Sequence, residues 1–191
     1  LIRRLGDRLI ASALTTAAGA SDAAGRPVRI AVNVAEPQLV DPDFAERLNA
    51  MRQASGAPRA CLEIEVTERS LLAADGAARQ TLKSLAAAGV PLALDDFGTG
   101  YNTFDLLREA PFQTVKIDQT FVRDLTTDTR TRSLVAGMIR LAHSIDLSTV
   151  AEGAETQDQI ALLREMGCDD VQGFAIGHPM TPEAFIGLVD V

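Results

Sequence analysis

Two adjacent carboxylates, Asp95 and Asp96, close the apolar run Gly89-Val90-Pro91-Leu92-Ala93-Leu94, and Phe97-Gly98-Thr99-Gly100-Tyr101 follows at once. The run reads as a buried strand, so both acids stand where that strand ends. Ionised neighbours repel and resist burial unless something positive lies nearby. A divalent metal meets that need economically. The plainer alternative is a turn, with Asp96 capping the next helix. Gly98 and Gly100 allow a tight, mobile backbone beside such a site.

Polar residues recur where the other strands should end. They are Asn33, Glu65, Lys116, Glu152 and Gln172. Within Cys61-Leu62-Glu63-Ile64-Glu65-Val66, Glu63 and Glu65 share one face, so Glu65 points inward near the strand's end. A buried Glu without a partner costs several kcal/mol, about 2–7 for a neutral polar group and more for a charge, so it needs a cation or a metal. Asn33, Glu65, Asp95, Asp96 and Glu152 supply hard oxygen donors, which suit Mg²⁺ or Mn²⁺ rather than zinc. Two such ions clamp a phosphodiester and activate a water for in-line attack. Lys116 can then stabilise charge on that water or on the transition state. By elimination, Glu152 is the acid best placed to be a general base.

The elements that must position these residues alternate strand and helix six times. An amphipathic helix over 1–18 sets Ile2, Leu5, Leu9 and Ala13 on one face. A strand over 28–34 ends near Asn33. Asp41-Pro42 opens a helix as N-cap and first residue, with Phe44, Leu48 and Met51 inward. Asp75 caps a helix with Leu82 and Leu85 inward, ended by Gly89. A short helix is expected over 102–109, and a strand over 114–118 carries Lys116 and Asp118 on one face. Asp128 starts a long helix through Leu134, Met138, Leu141 and Ile145. A strand over 148–152 ends on Glu152. Thr156 and Gln159 form a capping box, a last strand covers 171–174, and Thr181-Pro182 opens the final helix. This order calls for a parallel sheet with right-handed crossovers. A doubly wound sheet gathers few strand ends at its switch point. A barrel brings them all to one mouth, so the expected fold is α/β, a TIM-type (β/α) barrel with six of its eight strands in this chain.

The chain has 191 residues and a formal net charge of −8. No basic cluster offers a nucleic-acid polymer a face. No apolar run is long enough for a membrane segment. Cys61 and Cys168 belong to no CxxC and read as reduced, buried thiols, which fits a cytoplasmic setting. His143 reads as a helix residue and His178 as a loop residue.

Six stretches in order, NVAEPQL (33–39), LEIEVTE (62–68), DDFGTGY (95–101), KIDQTFV (116–122), AEGAET (151–156) and QGFAIGHP (172–179), resemble the EAL-type cyclic-di-GMP phosphodiesterase domain. The resemblance spans the chain, as one domain over 1–191. It implies bacterial signalling by metal-dependent hydrolysis of cyclic di-GMP to linear pGpG. It implies metal ligation by Asn33, Glu65, Asp95 and Asp96, Lys116 at the attacking water and Glu152 as general base. Gln172 would sit near the metal-bound water network, with Asp118 and Glu155 as supports. Glu68 matches the anchor of the loop Phe97, Gly98, Thr99, Gly100 and Tyr101, which in the family governs ligand and metal binding and links to homodimer formation. An upstream sensor or diguanylate cyclase domain is a further implied partner. The signature Glu-Ala-Leu and the Arg after it are absent. They are expected ahead of Leu1 with the two missing strands, and a two-metal site needs that Glu. Ala35, Asn102-Thr103 and Phe174 stand where hydroxyl residues are usual. The alternative reading is therefore a catalytically inactive domain serving as a cyclic-di-GMP receptor or protein-interaction module.

Overall fold

The computed structural model describes residues 1–73, 75–100, 107–108 and 110–190. Tyr101 lies outside these, as does most of the helix expected over 102–109, of which 107–108 are described and helical. The chain is α/β and divides into two compact units, Leu1–Leu92 with Met180–Val191, and Ala93–Pro179.

In the first unit, helix α1 (Ile2–Ala24) runs six residues further than its periodicity suggested and stops at Gly25, whose φ of 61° closes the last turn. It buries Ile10, Leu14, Ala17 and Ala20, while Ile2, Leu5 and Leu9 lie on the surface. The helix carries two adjoining apolar stripes, and the one that packs is one position on from the one the spacing favoured. The Ser21 hydroxyl donates to the Ala17 carbonyl at 2.6 Å and accepts the Val28 amide at 2.9 Å, tying the helix to the next strand. Strand β1 (Ile30–Asn33) pairs in parallel with β2 (Leu62–Thr67), with Asn33 opposite Glu65. A short helix, α2 (Glu36–Leu39), follows β1. Helix α3 (Phe44–Ser55) begins three residues after Asp41, not at Pro42. Asp41 instead accepts the Asp43 amide at 3.2 Å and an Arg47 bond at 3.1 Å, and Arg3 of α1 approaches it at 3.5 Å. Burial would raise the Asp41 carboxyl, but these donors outweigh it and hold it low. Helices α4 (Glu68–Ala73) and α5 (Asp75–Ala87) complete the sequence here. Leu82 and Leu85 are buried as expected. The last helix, α9 (Pro182–Val189), is capped by Thr181 and packs on α1.

The second unit takes up β3 (Leu92–Phe97) from Ala93 onward, with β4 (Thr114–Ile117), β5 (Ser148–Ala151) and β6 (Asp170–Val171) joined in parallel in chain order. Helix α6 (Gln119–Arg123) follows β4. Helix α7 (Thr129–Ser144) starts at the Asp128 cap but buries Val135, Ile139 and Ala142, leaving Leu134 and Ile145 exposed. Helix α8 (Gln157–Glu165) keeps the Thr156–Gln159 capping box. Strand β6 has two residues where four were expected: the Gln172 amide still donates to the Ala151 carbonyl at 2.8 Å, and the chain then turns at Gly173. Both cysteines are free, Cys61 buried and Cys168 half-buried, and burial pushes both thiols up.

Candidate active site

Asp95 and Asp96 sit at a bulge. Leu94 pairs with Val115 and Phe97 with Ile117, so three steps of β3 face two of β4. In a regular strand adjacent side chains point to opposite faces; the extra residue breaks that alternation. Asp96 takes a φ of 57°, a region open mainly to Gly, Asn and Asp. Its amide donates to Asp95 Oδ1 at 3.0 Å, and the Thr99 hydroxyl donates to the Asp96 carbonyl at 2.9 Å. The start of the helix that Asp96 would cap lies outside the described residues.

Lys116, 4% exposed, stands on β4 with its Nζ 2.5 Å from Glu152 Oε1 and 3.8 Å from Asp95 Oδ1. Parallel pairing explains the meeting: Lys116 lies opposite Val150, and Glu152 follows β5 two residues on. Burial pushes the Glu152 carboxyl up; Lys116 opposes this, and Asp95 and Asp96 add to it. Burial also raises the Asp96 carboxyl, with repulsion from Asp95 and Asp118 outweighing the pull of Lys116. Asp118 caps α6, accepting the Thr120 amide at 2.9 Å and its hydroxyl at 2.5 Å.

A cavity of about 270 Å³ opens beside Glu152. Small-molecule pockets start near roughly 300 Å³, so this one takes a single moiety of a ligand. Glu155, Gln172 and Phe174 line it, together with Gln119, Gly153 and Gly173, which the sequence reading passed over. The signal for them was present: Gln119 lies in KIDQTFV, Gly153 in AEGAET and Gly173 in QGFAIGHP. A Cβ at Gly153 would come 2.6 Å from Gln119 Cβ, and φ there is 72°. A glycine is the residue that fits.

Phe97 is buried. At Gly98, with φ 97°, a Cβ would come 2.6 Å from Met138 Cε, so this glycine serves close packing on α7 as well as turning. Thr99 and Gly100 are exposed.

In the first unit, Asn33 Nδ2 donates to Glu65 Oε2 at 3.1 Å. Glu65 and its neighbour Glu63 are both buried, and Arg29 meets Glu63 at 3.1 Å. Glu68 is buried at the start of α4. Among the described residues, no three His, Cys, Asp or Glu side chains form a ready-made metal cage. None of the described helices is long and apolar enough to cross a membrane.

Parallel strands whose C-terminal ends carry a buried ammonium between carboxylates define a class: an α/β protein with a charged site at its strand ends. The EAL domain profile matches residues 1–179, and the chain belongs to the EAL domain family. Its fold is accordingly TIM-type, with six of the eight strands. It is 35% identical over 162 residues to the cyclic di-GMP phosphodiesterase RocR of Pseudomonas aeruginosa, covering 85% of this chain and 41% of RocR. The chain thus spans less than half the length of that relative. The EAL domain of Mycobacterium smegmatis DcpA superposes with a TM-score of 0.90 at 33% identity, over 97% of this chain and 83% of DcpA's. Klebsiella pneumoniae BlrP1, solved as a calcium and cyclic-di-GMP complex, superposes with a TM-score of 0.81 at 30% identity, over 90% and 43%.

Proposed function

We propose that this chain, as a single EAL domain, hydrolyses one phosphodiester of cyclic di-GMP to linear pGpG with the help of Mg²⁺ or Mn²⁺. The observation that carries the reading is the Lys116–Glu152 pair at 2.5 Å, beside Asp95, with Glu152 lining the cavity. A carboxylate whose burial keeps it basic takes a proton well, and an ammonium against it steadies the hydroxide that results.

In this reading Asn33, Glu65, Asp95 and Asp96 hold the ions. The donors are all hard oxygens; the Asn33 nitrogen is committed to Glu65, which leaves its carbonyl oxygen for a cation. Burial and the neighbouring Asp95 and Asp118 disfavour the ionised Asp96 more than Lys116 favours it, and a cation would relieve that. Bound ions supply polarisation of the phosphoryl oxygens and a more acidic water. Glu152 takes the water's proton as the oxygen attacks phosphorus and the bond to the 3′ oxygen breaks, and the 3′ oxygen takes up a proton from solvent to leave as a hydroxyl. Lys116 orients the water. Gln172 and Glu155 border the water network, Asp118 fixes the chain after Lys116, and Glu68 anchors the loop after the paired aspartates. The phosphodiesterase activity of RocR and the calcium and cyclic di-GMP bound by BlrP1 support the reading. A homodimer, an upstream sensor or diguanylate cyclase domain and a cytoplasmic setting belong to the same proposal.

Incubating the intact protein with cyclic di-GMP and Mg²⁺ or Mn²⁺, then separating nucleotides by chromatography, tests it. The expected product is pGpG, lost with chelator and reduced about 10²–10⁴-fold by Glu152→Gln. Nucleotide that is bound and left intact makes the domain a receptor and overturns the catalytic reading.

A further inference from the structure

Lys116 and Glu152 meet because β4 and β5 lie side by side, and each of these strands has a neighbour on both sides within this chain. Lys116 stands inside its strand, whereas Glu152 lies just past β5, on the loop that runs to α8. The Glu152 amide still donates to the Ile117 carbonyl at 3.0 Å. Beyond it the chain leaves the ladder. Loops move more than the elements they join, so the side chain that takes the proton needs a hold of another kind.

Gln159, in the first turn of α8, supplies one. It is buried, and its amide uses every hydrogen-bonding position it has. Oε1 accepts the Glu155 amide at 2.8 Å and the Thr156 amide at 3.0 Å. Nε2 donates to the Val122 carbonyl at 3.2 Å and the Arg123 carbonyl at 3.3 Å. A capping box needs only the bond to Thr156. The other three tie the loop after Glu152 to the end of α6, where a helix cannot satisfy its own last carbonyls. The same loop rests on the start of α6. Gly153, at φ 72°, packs so closely there that a Cβ would come 2.6 Å from Gln119 Cβ and 3.4 Å from its Cα. Helix α6 follows directly on the strand that carries Lys116, and the Asp118 carboxylate caps it by accepting the Thr120 amide at 2.9 Å. One short helix thus underlies both the ammonium's strand and the base's loop.

We infer that Gln159 is a positioning residue for hydrolysis: it holds Glu152 against Lys116 by bridging the loop after β5 to α6, with Gln119 as the loop's second footing. The inference rests on Glu152 being the general base for cyclic di-GMP. A displacement of about 1 Å at the reacting groups costs roughly 10²-fold in rate. Gln159→Glu keeps an acceptor toward Glu155 and Thr156 and removes the donor toward α6, so it cuts the bridge and spares the cap. It lowers kcat about 10²-fold, while the affinity for uncleaved cyclic di-GMP, measured in a Glu152→Gln background with Mg²⁺, stays at the value without it. Residual turnover is the discriminating readout. Added to Glu152→Gln, Gln159→Glu lowers turnover no further, because the group it positions is already gone. A general loosening of the fold would lower it by the same factor in both backgrounds. Gln119 is exposed, so its variants test the bridge even where Gln159→Glu does not fold. Gln119→Gly, which removes the Cβ beneath Gly153, lowers kcat, and Gln119→Ala, which keeps that Cβ, does not. If the wild type cleaves cyclic di-GMP while these variants keep kcat, or lower it equally in the Glu152→Gln background, the bridge is overturned and the function stands. If the wild type does not cleave cyclic di-GMP, both fall.

Discussion

Lys116 is the residue on which the second unit's chemistry turns, because a buried ammonium is costly without close carboxylates. Replacing it by Met keeps the stem's volume but leaves Glu152 and Asp95 facing each other. Breaking a buried pair costs about 3–5 kcal/mol, so Lys116→Met is expected to lower the midpoint of urea unfolding markedly and to abolish hydrolysis. Asp96 shows the opposite balance. It faces Asp95 and Asp118, and its own ionisation is disfavoured. Asn tolerates the left-handed backbone that Asp96 adopts. Asp96→Asn is therefore expected to raise the Tm of metal-free protein by about 2 °C, while Mg²⁺ no longer raises it; calorimetry with and without chelator measures both. That Lys116, Glu152 and the paired aspartates stand at strand ends was legible in the sequence, because the apolar runs before them mark the strands. The bulge that turns Asp95 and Asp96 together was not, because it arises from a mismatch between two strands and leaves no mark in either alone.

The element scale is governed by caps and edges. Asp169, ahead of β6, accepts the Thr149 amide at 2.8 Å, the Thr149 hydroxyl at 2.7 Å and His143 Nε2 at 2.8 Å, so one carboxylate links α7, β5 and the approach to β6. Burial would raise this carboxyl, but the bonds from His143 and Thr149 outweigh it and the net shift is downward. A lowered carboxyl stabilises the fold above its unfolded pKa and loses that contribution as pH falls through the folded value. Asp169→Asn should cost about 1 kcal/mol near neutral pH, kept small by solvent screening. The difference from wild type should narrow below about pH 4; urea titrations at several pH values check it. Helix starts at Asp128, Thr156 and Thr181 were readable because a cap is local chemistry. The buried faces of α1 and α7 were misread by one position. Each helix carries apolar residues on adjoining stripes, and the choice between them is made by what packs against the helix, not by its own period.

For the whole molecule, the alternation of strand and helix was enough to identify the fold class, because parallel strands demand crossovers. Binding of a cation to the folded state alone stabilises it in proportion to the logarithm of the excess over Kd, about 2.7 kcal/mol at a hundredfold excess. Mg²⁺ at that excess is expected to raise Tm by about 5 °C or more, reversed by chelator.

The cluster around Lys116 also fixes how its ligands must treat one another. Asp95, Asp96 and Glu152 lie in the field of Lys116, with Asp118 adding to the repulsion at Asp96, so among the described residues a phosphodiester anion arriving alone meets an excess of negative charge. Cation and nucleotide each remove the other's repulsion. Thermodynamic linkage makes that help reciprocal. Whatever factor Mg²⁺ adds to the affinity for uncleaved cyclic di-GMP, cyclic di-GMP must add to the affinity for Mg²⁺. A Glu152→Gln protein titrated in both orders should return the same coupling constant. A site that fills this way binds each ligand more tightly once the other is in place.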